Sequence, residues 1–229
     1  MHTVLFDIDG TLIRTGRSVR EAFHRALRET FGFVPQIDGY SFGGKTDPQI
    51  VRELMTSSGL TEAEVRPAVP RCLELYLDHL AAMLPGVVHG SLLPGVRALV
   101  DRLAARGDVA LGLLTGNMAR GARLKLEPLG LWECFAFGAY ADVSEVRVEV
   151  ARHAVDLARG RLGAAFSLAR VTVVGDTEHD VACAQALGVR AVAVATGTRT
   201  SEVLAAEKPD VLLPDLADAE RAEHAILVG

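Results

Sequence analysis

Lysine is scarce in this chain of 229 residues: Lys45, Lys125 and Lys208 are the only three, and apart from histidine every other basic side chain is arginine. A site that needs an ammonium group therefore has few candidates. Positive charge is not in excess either. The formal net charge of −5 speaks against a nucleic-acid partner gripped by a broad basic face, although a small phosphate site needs only local positive charge. Cysteine is rare, and Cys72, Cys134 and Cys183 match neither metal-ligand nor disulfide spacing, so free thiols in a reducing compartment are expected. No apolar run approaches the ~20 residues of a membrane span, and no basic leader with an apolar stretch is seen. A cytoplasmic protein without a membrane partner is the expectation. Hydrophobic residues at 49% against 23% charged require a buried core rather than disorder.

What the chain does have is a series of short runs rich in Val, Leu and Ala. Val4–Ile8, Val109–Leu114, Val171–Val174, Ala191–Ala195 and the weaker Val211–Leu213 read as strands buried on both faces, with Phe135–Phe137 as a further short candidate. Helical patterns lie between them, over Val96–Arg106, Arg120–Leu129, Glu149–Arg159, Asp180–Leu187 and Glu202–Ala206. This alternation predicts right-handed crossovers and an α/β fold with a doubly wound parallel sheet. Gly107, Gly130 and Gly188 stand where helices should end.

From Ser18 to His89 the alternation breaks. Val19–Phe31, Pro48–Ser57 and Glu62–Met83 read as consecutive helices with no apolar strand among them. The economical interpretation is a core of residues 1–16 and 90–229 carrying a helical insertion, residues 17–89, after the first strand. The insertion would be entered near Gly16 and left through Pro85-Gly86-Val87-Val88-His89-Gly90, both able to hinge. A continuous fold with extra helices is the other reading.

Three of the predicted strands run into chemically active residues. The first ends in Asp7-Ile8-Asp9-Gly10-Thr11-Leu12. Burying even one ionised carboxylate without a partner costs several kcal/mol, so two beside a buried strand ask for a cation, a shared proton or a reactive role. A turn at Gly10 would swing the second carboxylate over the first, as a nucleophile and its acid/base partner require. Asp-Gly is equally a favoured hairpin turn. A later strand delivers Thr115-Gly116-Asn117, which can cradle phosphate with a hydroxyl and free amides, or simply cap a helix. Another ends in Gly175-Asp176-Thr177-Glu178-His179-Asp180. Asp180 has a capping role open to it, whereas Asp176 does not. If Asp7, Asp9 and Asp176 meet at one sheet edge they repel one another without a cation, and hard oxygen ligands of this kind suit Mg²⁺.

In order and placement these three strings resemble the signatures of the haloacid dehalogenase superfamily of phosphohydrolases. The helical insertion resembles the mobile cap of its phosphoglycolate-phosphatase-like and phosphoglucomutase-like members. The resemblance implies a Rossmann-like core and a Mg²⁺-dependent phosphatase acting on a small phosphorylated metabolite, with cap closure over the site. It also implies roles. Asp7 would attack phosphorus to give an aspartyl-phosphate, and Asp9 would protonate the leaving oxygen and then take a proton from water. Mg²⁺ would be held by Asp7, Asp176 and the main-chain carbonyl of Asp9, with Asp180 orienting a neighbouring ligand. Thr115, Gly116, Asn117 and the Gly10 turn would bind phosphoryl oxygens.

The chain departs from the family pattern in one respect. The family usually supplies a lysine before the strand that ends in Gly175-Asp176, and none occurs between Lys125 and that strand. Lys125 falls inside the helix after Thr115 and is expected to face solvent or snorkel. Arg147 stands at the start of a helix at about the right place and resembles the arginine of a family subset; it would either hold phosphoryl oxygens or sit solvated. In Phe42-Gly43-Gly44-Lys45-Thr46-Asp47-Pro48, Thr46 or Asp47 is expected to cap a helix. Lys45 would either contact the substrate's anionic end or remain an exposed lysine of that capping turn. His179 and His89 are given no catalytic role. Phosphomutase, pyrophosphatase and phosphonate hydrolase activities, and a non-catalytic phosphate-binding protein, are the alternative readings.

Overall fold

The computed structural model describes residues 1–14, 17–37, 39–84 and 91–228. The predicted hinges at Gly16 and at Pro85 to Gly90, with His89, lie outside the described residues. Strand β1 (His2–Phe6) buries Val4, Leu5 and Phe6 completely. Because successive side chains of a strand point to opposite faces, Val4 and Phe6 enter one apolar cluster and Leu5 the other. That double burial places β1 in the middle of a six-stranded sheet of order β5-β4-β1-β6-β7-β8. Its partners are β4 (Val109–Leu114), β5 (Phe137–Ala139), β6 (Val171–Gly175), β7 (Arg190–Val194) and β8 (Val211–Leu213), and every pairing is parallel.

Helices cover both faces. On one side lie α5 (Val96–Ala104), α6 (Ala119–Leu126) and α10 (Ala219–Leu227); on the other lie α7 (Arg147–Leu162), α8 (Glu178–Leu187) and α9 (Ser201–Ala206). From β1 the chain proceeds outward through β4 to β5, then crosses back to β6 and runs the other way. Connections leaving the adjacent strands β1 and β6 therefore diverge, which opens a crevice at their carboxyl ends. Asp7 and Asp176 follow those two strands.

The helical stretch between β1 and β4 contains α1 (Ser18–Phe31), α2 (Asp47–Ser57), α3 (Glu62–Val65) and α4 (Val69–Met83), and these close around an apolar cluster of their own. The helix expected over Glu62–Met83 is broken, with a 3-10 turn at Arg66–Ala68. Pro67 and Pro70 lack the N–H groups that would continue the helical ladder. A short antiparallel pair, β2 (Ile13–Arg14) with β3 (Ser91–Leu92), joins the two ends of this stretch and has no counterpart in the sequence reading.

Other boundaries shift for local reasons. β1 stops at Phe6 rather than Ile8 because the Ile8 carbonyl accepts from the amides of Thr11, Leu12 and Ile13, closing a turn. Gly107 ends no helix, since α5 finishes at Ala104; Arg106 instead clamps Asp108 at 2.8 Å in the turn before β4. Gly130 and Gly188 do take the left-handed conformation at helix ends. Helix α10, absent from the sequence reading, is started by Asp218, whose side chain accepts from the Arg221 amide at 3.0 Å, and it buries Ala222 and Ile226. Among the described residues no helix is long and apolar enough to cross a membrane.

Candidate active site

The carboxyl ends of β1, β4 and β6 bring the three motifs together. Asp7 continues β1 by one residue, its amide donating to the Val174 carbonyl at 2.9 Å, which fixes it beside β6. Gly10 takes φ +89°, and a Cβ there would lie 2.4 Å from Asp176 Oδ2. Gly197 approaches as well, and a Cβ there would sit 1.7 Å from the same oxygen. Two glycine backbones thus enclose one carboxylate, and Thr11 Oγ1 donates to its other oxygen at 3.1 Å. The favoured hairpin turn is not what Asp9-Gly10 forms; the turn wraps a carboxylate.

Asp7, Asp176 and Asp180 are all buried and offer oxygens within 4.8 Å of one another. Arg147, at the first position of α7 and itself buried, is shared between them. Its Nη2 lies 3.1 Å from Asp7 and 2.6 Å from Asp180. The solvated reading of Arg147 is therefore excluded. Asp180 also accepts from the Thr177 amide at 3.0 Å and the Thr177 hydroxyl at 2.7 Å. It stands at the third position of α8 in a capping box with Thr177, not at the cap expected of it. Asp180 thus accepts from Arg147 and twice from Thr177, whereas among the described residues Asp176 Oδ2 accepts no hydrogen bond.

Three buried carboxylates crowd about one guanidinium, and the imbalance acts on Asp7 and Asp176. Burial, opposed by Arg147, pushes Asp7 upward from the ordinary carboxylate value. Burial and the neighbouring charges of Asp7 and Asp180 push Asp176 further. A divalent cation removes that penalty, and the donor set fits a hard one: carboxylate oxygens from Asp7 and Asp176, with no sulfur or imidazole in the cluster.

Asp9 is held by a second cation. Lys125 Nζ reaches Asp9 Oδ2 at 2.7 Å and also donates a short hydrogen bond to Asn117 Oδ1. The Asn117 amide donates to Asp9 at 2.8 Å and to Thr115 Oγ1 at 2.7 Å. Lys125 is 4% exposed, so its expected place in solvent is wrong. The helix turns it inward: Ala122, Lys125 and Leu126 share the buried stripe of α6 while Arg123 and Glu127 pair outside. In a chain with so few lysines, an ammonium one turn-multiple from Gly121 and Ala122 was the available signal.

The loop before α2 closes over these residues. Lys45 O packs on Gly116, where a Cβ would lie 2.1 Å away, and Gly44 (φ +74°) abuts Thr177 and His179. The Asp47 amide donates to Gly116 O at 2.7 Å, and Thr46 Oγ1 donates to Glu145 O at 2.8 Å. Thr46, not Asp47, caps α2, accepting from Gln49 at 3.3 Å. Asp47 instead accepts from the Met118 amide at 2.8 Å and is buried. That burial pushes its carboxyl up to about 7, Lys125 and the Met118 amide opposing. Lys45 lines the cavity, neither exposed nor free: its Nζ pairs with Glu53 at 2.6 Å and sits over the Tyr40 ring. His179 packs against Gly44, and burial lowers its pKa. The sequence reading missed Thr11, Asp47, Thr177 and Gly197; Thr177 alone carries a local signal, the Thr-x-x-Asp spacing of its capping box with Asp180, while the contacts of the other three are long-range.

The cavity, open to solvent on one side, has a volume of about 440 Å³ and reaches from Asp7, Thr115 and Arg147 to side chains of α1 and α2. The family model described as haloacid dehalogenase-like hydrolase matches residues 1–188. The chain is 28% identical over 226 residues to a Dickeya dadantii protein named "Probable phosphatase IndB", covering 98% of this chain and 94% of that one. It is 29% identical over 223 residues to a phosphoglycolate phosphatase of Synechococcus elongatus, covering 97% of each. A β-phosphoglucomutase from Clostridium difficile superposes with a TM-score of 0.75 at 14% identity, over 99% of this chain and 97% of that one, a likeness of fold alone.

Proposed function

Since this chain belongs to the haloacid dehalogenase-like hydrolases, as a phosphatase resembling phosphoglycolate phosphatases, we propose that it hydrolyses a small phosphomonoester by Mg²⁺-dependent transfer through an aspartyl-phosphate on Asp7. The observation that carries this reading is the division of labour between two carboxylates two residues apart. Asp7 lies among buried acids beside Arg147, and Asp9 lies apart from them, held by Lys125 and Asn117.

In this reading Asp7 Oδ attacks phosphorus while the ester oxygen departs with the proton of Asp9. A water then takes the phosphoryl group from Asp7 and gives its proton to Asp9, restoring both. Arg147, Thr115 and the amide of Gly116 bind the equatorial oxygens, where negative charge is spread in the transition state. Asp7, Asp176 and the main-chain carbonyl of Asp9 would hold Mg²⁺, which supplies charge neutralisation at the phosphoryl group. Asp180 keeps Arg147 aimed at Asp7.

Residues 17–89 act in this reading as a cap on a core of residues 1–16 and 90–229. The seal made by Lys45, Thr46 and Asp47 on Gly116, Glu145 and Met118 supports it, as does the ion pair of Arg52 with Glu145 at 3.1 Å. Closure would exclude bulk water and bring cap side chains to the leaving group.

The test is hydrolysis of 4-nitrophenyl phosphate with Mg²⁺, against the same assay in EDTA and with Asp7→Asn. Phosphate release abolished by both changes is the expected result. Activity surviving in Asp7→Asn would overturn the covalent route, and a rearranged sugar phosphate in place of free phosphate would replace hydrolysis by transfer.

A further inference from the structure

The phosphatase reading leaves most of the cavity unused. Its volume, about 440 Å³, falls within the ~300–1,000 Å³ usual for ligands of drug size, and the phosphoryl group needs only the floor at Asp7, Thr115 and Arg147. Above that floor the wall is apolar and partly aromatic: Phe23 and Ile50 are buried, and Val19 and Phe42 are partly so. The Phe23 ring is not free to adapt. It stacks on Tyr76 at 3.8 Å between centroids, and Phe42 leans on it at 5.8 Å. A rigid aromatic wall favours a flat apolar body.

Cations lining the cavity fall into two groups. Lys45, Lys125 and Arg147 are each committed to carboxylates of the protein. Arg14 and Arg20 are not. Both are exposed, which sets them at the mouth, and among the described residues neither has a carboxylate partner. Arg14 makes one hydrogen bond, to the Thr196 carbonyl at 3.3 Å, and the Arg20 guanidinium lies 5.0 Å from the Phe42 ring centre. Arginine forks of this kind match carboxylate or phosphate oxygens. A two-carbon leaving group would leave much of this volume, and its aromatic wall, unfilled.

We propose that the leaving group is an aromatic body carrying a second anionic group, the ring lying against Val19 and Phe42, which the fully buried Phe23 backs, and the distal charge meeting Arg14 and Arg20. This rests on the phosphatase reading for the position of the phosphoryl end.

Binding of non-hydrolysable phosphonates tests the subsite apart from turnover. By calorimetry with Mg²⁺, 4-carboxybenzylphosphonate should bind about tenfold more tightly than benzylphosphonate, the gain typical of one charge-assisted contact. In the Arg14→Ala/Arg20→Ala protein that ratio should fall to about one, and Arg20→Glu should invert it. Equal affinities in the unaltered protein, a ratio indifferent to the arginines, or tighter binding of 3-phosphonopropionate than of both aromatic ligands would overturn the proposal. Hydrolysis of phenyl and 4-carboxyphenyl phosphate separates the two readings. No turnover of either ester, with the carboxylate preference in binding intact, would remove the phosphatase reading and keep the subsite. Turnover of both at equal kcat/KM, with no preference in binding, would do the reverse.

Discussion

Lys125 Nζ lies 2.7 Å from Asp9 Oδ2, although 116 residues separate them in sequence. The contact is buried on the lysine side, and Asn117 is bonded to both partners. Lys125 thus fixes the direction of the carboxylate proposed to move protons at the leaving oxygen. Lys125→Met keeps the apolar stem and deletes the charge. A lost charge-assisted hydrogen bond of about 1.5–3 kcal/mol corresponds to a fall in kcat of roughly ten- to hundredfold. Steady-state kinetics on an aryl phosphate should show this mainly in kcat, with KM little changed.

Gly10 is a second sensitive point. A side chain there would meet Asp176 at 2.4 Å while the backbone holds φ +89°. Gly10→Ala should therefore both displace a proposed metal ligand and strain the turn. Left-handed strain costs on the order of 1–3 kcal/mol, so Tm should fall by several degrees in a chain of this size. The Mg²⁺ concentration for half-maximal activity should rise in the same protein.

Arg147 serves Asp7 and Asp180 together. Arg147→Met leaves buried carboxylates without their cation, a change that costs about 3–5 kcal/mol when a buried pair is broken on one side. Urea unfolding in EDTA should reveal the loss. Saturating Mg²⁺ should return part of it, since an ion that binds only the folded state stabilises that state. Failure of Mg²⁺ to raise the stability of either protein would count against the proposed ion site.

Asp47 gives a pH prediction of definite sign. Its folded-state pKa, about 7, stands above the unfolded value near 3.8 because burial disfavours the charged form. Between those values the folded state binds more protons than the unfolded one, so stability falls as pH rises from about 4 through 7, by at most about 1.4 kcal/mol per pH unit. Asp47→Asn, whose amide oxygen can still accept from Met118, should flatten that part of the profile. Stability measured in EDTA at intervals across this range is the check, and an unchanged slope in the variant would contradict the assignment.

Several of these residues could be read from sequence and others could not. Asp7, Asp9, Thr115 and Asp176 announce themselves because each follows an apolar run that has to be a buried strand, and parallel strands share one functional edge. Arg147 was placed by its position at a helix start. Lys125 was misread because an isolated lysine on a helix is ambiguous until the orientation of that helix is known. Asp47 and Thr46 were seen only as caps, since their contacts with Met118 and Glu145 cross from one half of the chain to the other. The break near Pro67 is local, since Pro67 and Pro70 cannot donate to the helical ladder.

By itself, the sequence determined the alternation of strand and helix, the helical stretch after the first strand, and the acidic motifs at strand ends. These follow from local rules: hydrophobic period, turn chemistry and the cost of burying charge. Only the tertiary structure decided which cations answer which carboxylates, and that Arg14 and Arg20 answer none among the described residues. Pairing of that kind depends on distances of 2–4 Å between segments more than a hundred residues apart, as for Lys125 and Asp9. Chain packing sets those distances, and no local pattern encodes them.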